Sequence, residues 1–276
     1  MALVKIGLVQ VPVTEDVDVN LRKAADMVRE AAGNGARVVM LPEMFCCIYE
    51  NASFVKNREA AGGRIWQALQ KMAQENGIYL IGGSFPEADG EKIYNSCFIF
   101  DPVGKQIGRH RKMHLFDIDV EGGQHFHESD TFTPGDGVTV IDTEFGKIGV
   151  EICFDIRFVE LTRLMALQGA CMVFVPGAFN MTTGPLHWEL HFRARALDNQ
   201  IYMFGCAPAR DEAGPYVSWG HSMGADPWGK VISSLDEKPG ILMLEADTEQ
   251  VNAVRQQLPI INCRRTDIYE LRQKEQ

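Results

Sequence analysis

Apolar residues along this chain follow two rhythms, short continuous runs and longer stretches at helical spacing. Residues 5–11 (KIGLVQV) read as a strand, and the next segment carries Leu21, Ala24, Ala25, Val28, Ala31 and Ala32 on one helical face until Gly33 and Gly35 stop it. Residues 37–41 (RVVML) form a run typical of a strand covered on both faces, and it ends in Pro42-Glu43. A helix over residues 64–76, closed by Gly77, and a strand over 78–81 complete a βαβαβ opening.

Hairpins follow. Asp101-Pro-Val-Gly104 is a turn signal between two strands within residues 94–109, and Glu144-Phe-Gly146 divides strands predicted over 138–141 and 147–153. Leu161, Leu164, Met165 and Leu167 mark a helix ending at Gly169, residues 171–175 (CMVFV) a buried strand, and residues 185–198 a helix opening on Pro185. Strands are predicted over 201–206, 217–224, 230–234 and 241–245. With helix-bearing units in both halves, no repeat and no low-complexity linker, the pattern predicts one α/β domain over residues 1–276. Two mixed sheets stacked face to face with helices outside account for it best.

Composition narrows the function classes. Hydrophobic residues make up 46% and charged residues 23% of the 276, an ordinary globular balance that argues against disorder. A formal charge of −10 opposes attraction to nucleic acid or anionic lipid, and the run Arg109-His-Arg-Lys112 is too short to offset it. Residues 1–10 lack a basic leader, and no apolar run approaches about 18 residues, so a soluble, cytoplasmic protein is expected. Seven cysteines, without a C-x-x-C pair, argue against a disulfide framework or zinc ribbon.

Among those cysteines Cys153 stands out. It follows the strand ending Val150-Glu-Ile152 and precedes Phe154-Asp-Ile-Arg157, a strand-to-helix turn where unpaired backbone N–H groups favour a thiolate and can hold an oxyanion. A thiolate attacking an amide needs a proton acceptor and the leaving ammonia a donor. Glu43, set after an apolar strand and Pro42, suits both steps. Lys112 offers an ammonium to a developing oxyanion, and Glu128 a partner to fix it, although singly the two read as surface charges.

Three other constellations are weaker. Gly220-His-Ser-Met-Gly224 matches a serine elbow, but no histidine follows Ser222 and the next signal, Asp226-Pro-Trp-Gly229, is a turn and not a helix. His187 and His191 share a helix face, yet Trp188 stands where a zinc-protease glutamate belongs. The context of Cys153 is not that of a papain-like dyad.

The order Glu43, Lys112, Glu128, Cys153 resembles the constellation of the nitrilase superfamily, carried by Leu41-Pro-Glu43, Arg111-Lys-Met-His-Leu115 and Glu151-Ile-Cys-Phe-Asp-Ile-Arg157. Within it the chain is most similar to the omega-amidase branch, through His114-Leu-Phe-Asp-Ile-Asp119, Pro176-Gly-Ala-Phe-Asn180, Thr182-Thr-Gly-Pro185, His187-Trp-Glu-Leu190, Asp198-Asn-Gln200 and Trp219-Gly-His-Ser222. The resemblance implies a four-layer α-β-β-α sandwich, a homodimer paired across helices, and neither metal nor organic cofactor. It implies Cys153 as nucleophile, Glu43 as base and then acid, and Lys112 with the N–H of Phe154 at the oxyanion, Glu128 orienting the lysine. Tyr49, Phe116, Phe179 and Thr183 border the pocket in such relatives.

The substrate class so implied is a small dicarboxylic monoamide such as 2-oxoglutaramate or 2-oxosuccinamate. Alternatives on the same four residues are a deaminated-glutathione amidase and an N-carbamoyl amino acid or amine hydrolase; an idle binding protein on the same fold is the non-enzyme alternative. Cys46-Cys-Ile48 and Glu121-Gly-Gly-Gln-His125 depart from the branch's usual segments near the entrance.

Overall fold

The computed structural model describes residues 3–121 and 124–274. Gly122 and Gly123 of the divergent loop, and Met1 and Ala2 at the start, lie outside the described residues. In chain order the strands are β1 (Leu3–Gln10), β2 (Val38–Met40), β3 (Glu59–Ala60), β4 (Tyr79–Ile81), β5 (Phe85–Asp89), β6 (Lys92–Phe100), β7 (Gln106–Arg111), β8 (Asp117–Asp119), β9 (His125–His127), β10 (Thr139–Thr143), β11 (Gly146–Val150), β12 (Ala170–Pro176), β13 (Tyr202–Cys206), β14 (Met223–Ala225), β15 (Val231–Ser234) and β16 (Gly240–Asp247). The helices are α1 (Val17–Gly33), α2 (Asn51–Asn57), α3 (Arg64–Asn76), α4 (Val159–Leu167), α5 (Gly184–Asn199) and α6 (Thr248–Gln257).

Two mixed sheets result. One runs β16-β1-β2-β4-β6-β5-β3 with β7 on β6; the other runs β10-β11-β12-β13-β14-β15. In β1, Val4, Ile6 and Leu8 face the second sheet and share a core with Val150, Phe174 and Phe204, while Val9 joins the core under α1 and α3 with Val28 and Leu69. That alternation is the period-two pleat of a strand covered on both sides. The second sheet carries α4 and α5 on its outer face, giving the four layers α-β-β-α. Close approach of α5 is enforced at Gly205 of β13, where an added Cβ would lie 2.3 Å from the Phe192 ring.

Helix ends follow local chemistry. Asp16 caps α1 by accepting from the N–H groups of Asp18 and Val19, and Gly77 closes α3 in the left-handed region at φ 60°. The strand expected over 217–224 is shorter than predicted: only β14 pairs regularly, with a lone bridge between Asn180 and Ser218. Gly220 and His221 have φ of 73° and 62°, which no pleated strand accommodates. Ser222 is consequently structural, bonded to Gln10 Oε1 at 2.8 Å and to the N–H of Ala207 at 3.0 Å, and it leads directly into β14 and not into a helix.

The turn after β11 is pinned by one side chain. Asp155 accepts from the N–H of Ile152 at 3.0 Å and of His114 at 2.9 Å, and its oxygens meet His110 Nε2 at 2.9 Å and His114 Nδ1 at 2.7 Å. His110 and His114 flank Lys112, so this carboxylate joins the lysine strand to the cysteine turn. Burial opposes its ionisation, but the hydrogen bonds from His110 and His114 hold its pKa well below the usual carboxylate range. A depressed pKa stabilises the fold above the unfolded value near about 4 and is lost as pH falls through the folded one. Asp155→Asn is expected to cost on the order of 3 kcal/mol at neutral pH. Urea midpoints between pH 3 and 7 check this, and the deficit should shrink toward the acid end.

Candidate active site

The chain delivers its reactive groups from strand ends. Glu43 lies just past β2, Lys112 just past β7, and Cys153 opens the 3-10 turn Cys153–Arg157 three residues after β11. Met44 and Cys153 have φ of 50° and 47°, left-handed values that are costly for side chains of their size. Lys112 is tied to β6 by its N–H, which donates to Asn95 O at 2.9 Å.

Three distant segments meet at the ammonium of Lys112. Its Nζ lies 2.9 Å from Glu43 Oε1 and 2.8 Å from Glu128 Oε2, with all three side chains sealed from water. Tyr49 donates to Glu128 Oε1 at 2.7 Å and reaches Glu43 Oε1 at 3.3 Å; Asn95 Nδ2 donates to Glu43 Oε1 at 2.9 Å, and the N–H of Phe116 to Glu128 Oε2 at 2.6 Å. Glu43 Oε2 is buried and accepts none of the hydrogen bonds among the described residues. Burial opposes the ammonium, but Glu128 and Glu43 outweigh it and lift the lysine above its ordinary pKa. The pKa of Glu128 is raised by burial, which Lys112 only partly offsets.

Cys153 is 4% exposed and sits against this cluster, with Glu43 and Lys112 both acting on its titration. Burial works against the thiolate that the unpaired N–H groups of the turn favour. Burial and the Glu43 carboxylate push its pKa well up, and Lys112 pulls the other way without prevailing. Attack by the sulfur therefore needs a proton acceptor at hand, and the carboxyl group of Glu43 is the one beside it. Phe154, next in the turn, has its N–H among the first groups that a 3-10 helix leaves without an internal acceptor.

Phe116, Phe154, Phe179 and Thr183 line a constricted cavity of about 10 Å³ with Cys153, Arg157, Ala178 and Tyr216. Tyr49 lies instead on a second cavity of about 300 Å³ on the Glu43 side, which also reaches Cys47, Ile48 and Tyr216. The divergent Cys47 and Ile48 are thus pocket-lining, whereas Cys46 is fully buried. From the divergent loop, Gln124 contacts Asn180 through their side-chain amides.

Sequence reasoning missed Asn95, Arg157 and Tyr216. An amide in the buried run of β6 was a signal, since an unpaired polar group there would be costly. Arg157 stood in plain view at the end of the cysteine segment. Tyr216 comes from an irregular loop and gave no pattern. His187 and His191 hold no metal-like cluster; among the described residues no group of three or more histidine, cysteine or acidic ligands is arranged for one, and both imidazoles meet Arg157.

The family profile for carbon-nitrogen hydrolases matches residues 5–256. The chain belongs to the nitrilase superfamily. This carbon-nitrogen hydrolase is 47% identical over 274 residues to the Xenopus laevis protein named omega-amidase NIT2-A, covering 99% of each chain. It is 49% identical over 267 residues to a protein of Schizosaccharomyces pombe named only as a hydrolase, covering 96% of this chain and 83% of the other. Among solved structures it resembles Saccharomyces cerevisiae Nit3, a member of branch 10 of the nitrilase superfamily, with a TM-score of 0.88, 40% identity, and coverage of 95% of this chain and 97% of that one.

Removing the carboxylate charge should release the thiol. In Glu43→Gln the Cys153 thiol is expected to titrate at a lower pH than in the parent, as one raising influence disappears. Thiolate ultraviolet absorbance against pH, with Cys153→Ala versions subtracted to remove the other six cysteines (46, 47, 97, 171, 206 and 263), measures it. An unchanged midpoint would mean that the carboxylate does not face the sulfur.

Proposed function

We propose that this hydrolase cleaves a small carboxylate-bearing amide, with 2-oxoglutaramate or 2-oxosuccinamate as the substrate type, to the dicarboxylate and ammonia. One observation carries the reading: a guanidinium, that of Arg157, lines the same small cavity as the Cys153 thiol. An anionic group seated on Arg157 would present its far end to the sulfur. The names of the omega-amidase relatives agree with this.

The chemistry follows from the cluster. Glu43 accepts the thiol proton as sulfur bonds to the amide carbon, and the oxyanion forms against Lys112 and the N–H of Phe154. Glu43 returns the proton to the nitrogen as the carbon–nitrogen bond breaks, so ammonia leaves and a thioester remains. Water, deprotonated by Glu43, then adds to the thioester, and the acid departs with the thiol restored. Glu128 and Tyr49 hold the lysine and glutamate in register. Exposed Leu186, Leu190 and Leu197 on α5 support pairing of two copies across that helix.

Ammonia release from 2-oxoglutaramate tests the reading. Wild type should turn it over, Cys153→Ala should not, and Lys112→Met should lose about a hundredfold or more in kcat while staying folded by circular dichroism. Carbon dioxide released with the ammonia would point to a carbamoyl substrate instead. Full activity in Cys153→Ala would remove the cysteine mechanism.

A further inference from the structure

Arg157 is held in an unusual way for a half-buried cation. Its Nη1 lies 3.0 Å from Nδ1 of His187 and 3.2 Å from Nε2 of His191, while among the described residues it has no carboxylate partner and its buried Nε has no hydrogen bond. The Phe154 and Phe179 rings cover the guanidinium at 5.5 and 4.8 Å. A guanidinium only donates, so both facing ring nitrogens must be unprotonated acceptors. Both histidines have lowered pKa values, His191 at about 4, through burial first and the Arg157 charge second.

The support behind the imidazoles is rigid. His187 and His191 sit one helical turn apart on α5, which is locked by Trp188 Nε1 donating to His221 O at 2.7 Å and by Phe192 against Gly205. From the same helix Arg195 donates to the carbonyls of Ile156 at 2.9 Å and Arg157 at 3.1 Å, which fixes the backbone of the residue being aimed. Neutral acceptors can orient a guanidinium without neutralising it. A carboxylate in their place would hold the cation equally well and cancel the charge that an incoming anion needs.

We propose that His187 and His191 are positioning residues that orient the Arg157 guanidinium, leaving its Nε edge free for the substrate carboxylate. This rests on the carboxylate-bearing substrate proposed above. The pair sets affinity and selectivity for the anionic end of the substrate and takes no part in proton transfer at Cys153.

Binding of 2-oxoglutarate, the dicarboxylate product, can be read by calorimetry on the full chain without turnover. His187→Ala and His191→Ala should each weaken it about tenfold, since each loses one hydrogen bond to a charged group. His187→Asn and His191→Gln, which keep a neutral acceptor, should restore most of the loss; His191→Glu, which keeps an acceptor but adds a charge, should bind worse than the alanine variant. In turnover of 2-oxoglutaramate the alanine variants should raise KM more than they lower kcat. Equal binding by wild type and the double alanine variant, or no difference between the amide and alanine replacements, overturns the positioning role. If Arg157→Ala also binds like wild type, the carboxylate-bearing substrate falls with it; if Arg157→Ala alone weakens binding, only the histidine inference is lost.

Discussion

The ammonium of Lys112, closed off from water between the carboxylates of Glu43 and Glu128, is the contact on which the site depends. Desolvating three charges is expensive, and it is tolerated here because three of the four carboxyl oxygens meet donors besides the ammonium, from Tyr49, Asn95 and the N–H of Phe116, which among the described residues leaves only Glu43 Oε2 without one. The cluster nevertheless sets two carboxyl groups against a single ammonium. Burial first, and the Glu43 carboxyl second, push the Cys153 pKa up, and the unpartnered oxygen of Glu43 is the natural destination of the thiol proton.

Such a cluster would be useless without a way of bringing β7 and β11 together from opposite sheets. Asp155 supplies it by gripping the histidines on both sides of Lys112 while accepting from the backbone of the cysteine turn. Nucleophile and cation are thereby linked through an ionised side chain that touches neither the thiol nor the ammonium. On the far side α5 performs a similar task, joining the turn to the outer helical layer through Arg195.

Much of this was legible in the sequence because the deciding elements are strongly patterned. Continuous apolar runs marked β2 and β12, a Pro-Gly turn marked the hairpin of β6 and β7, and the abrupt change of rhythm after Ile152 marked the cysteine turn. Where two faces differ little, the pattern failed: α6 buries only Val251 and Val254, and α2 only Phe54, so neither shows a helical stripe. The short strands β8 and β9 are half-exposed and polar. Glu43 and Cys153 could be singled out by their places at strand ends. Lys112 and Glu128 looked like surface charges because their burial comes from segments far away in the chain, and the partners of Arg157 could be found only once α5 was in place.

The backbone at residue 153 has a consequence for how the chain ages under selection. A side chain held at φ 47° stores strain of about 1 kcal/mol or more that a glycine there would release. A copy that abandoned its nucleophile would therefore gain conformational ease at that one position. The fold itself gains nothing from a cysteine in this cramped conformation, so the strain is a cost that only its chemistry offsets.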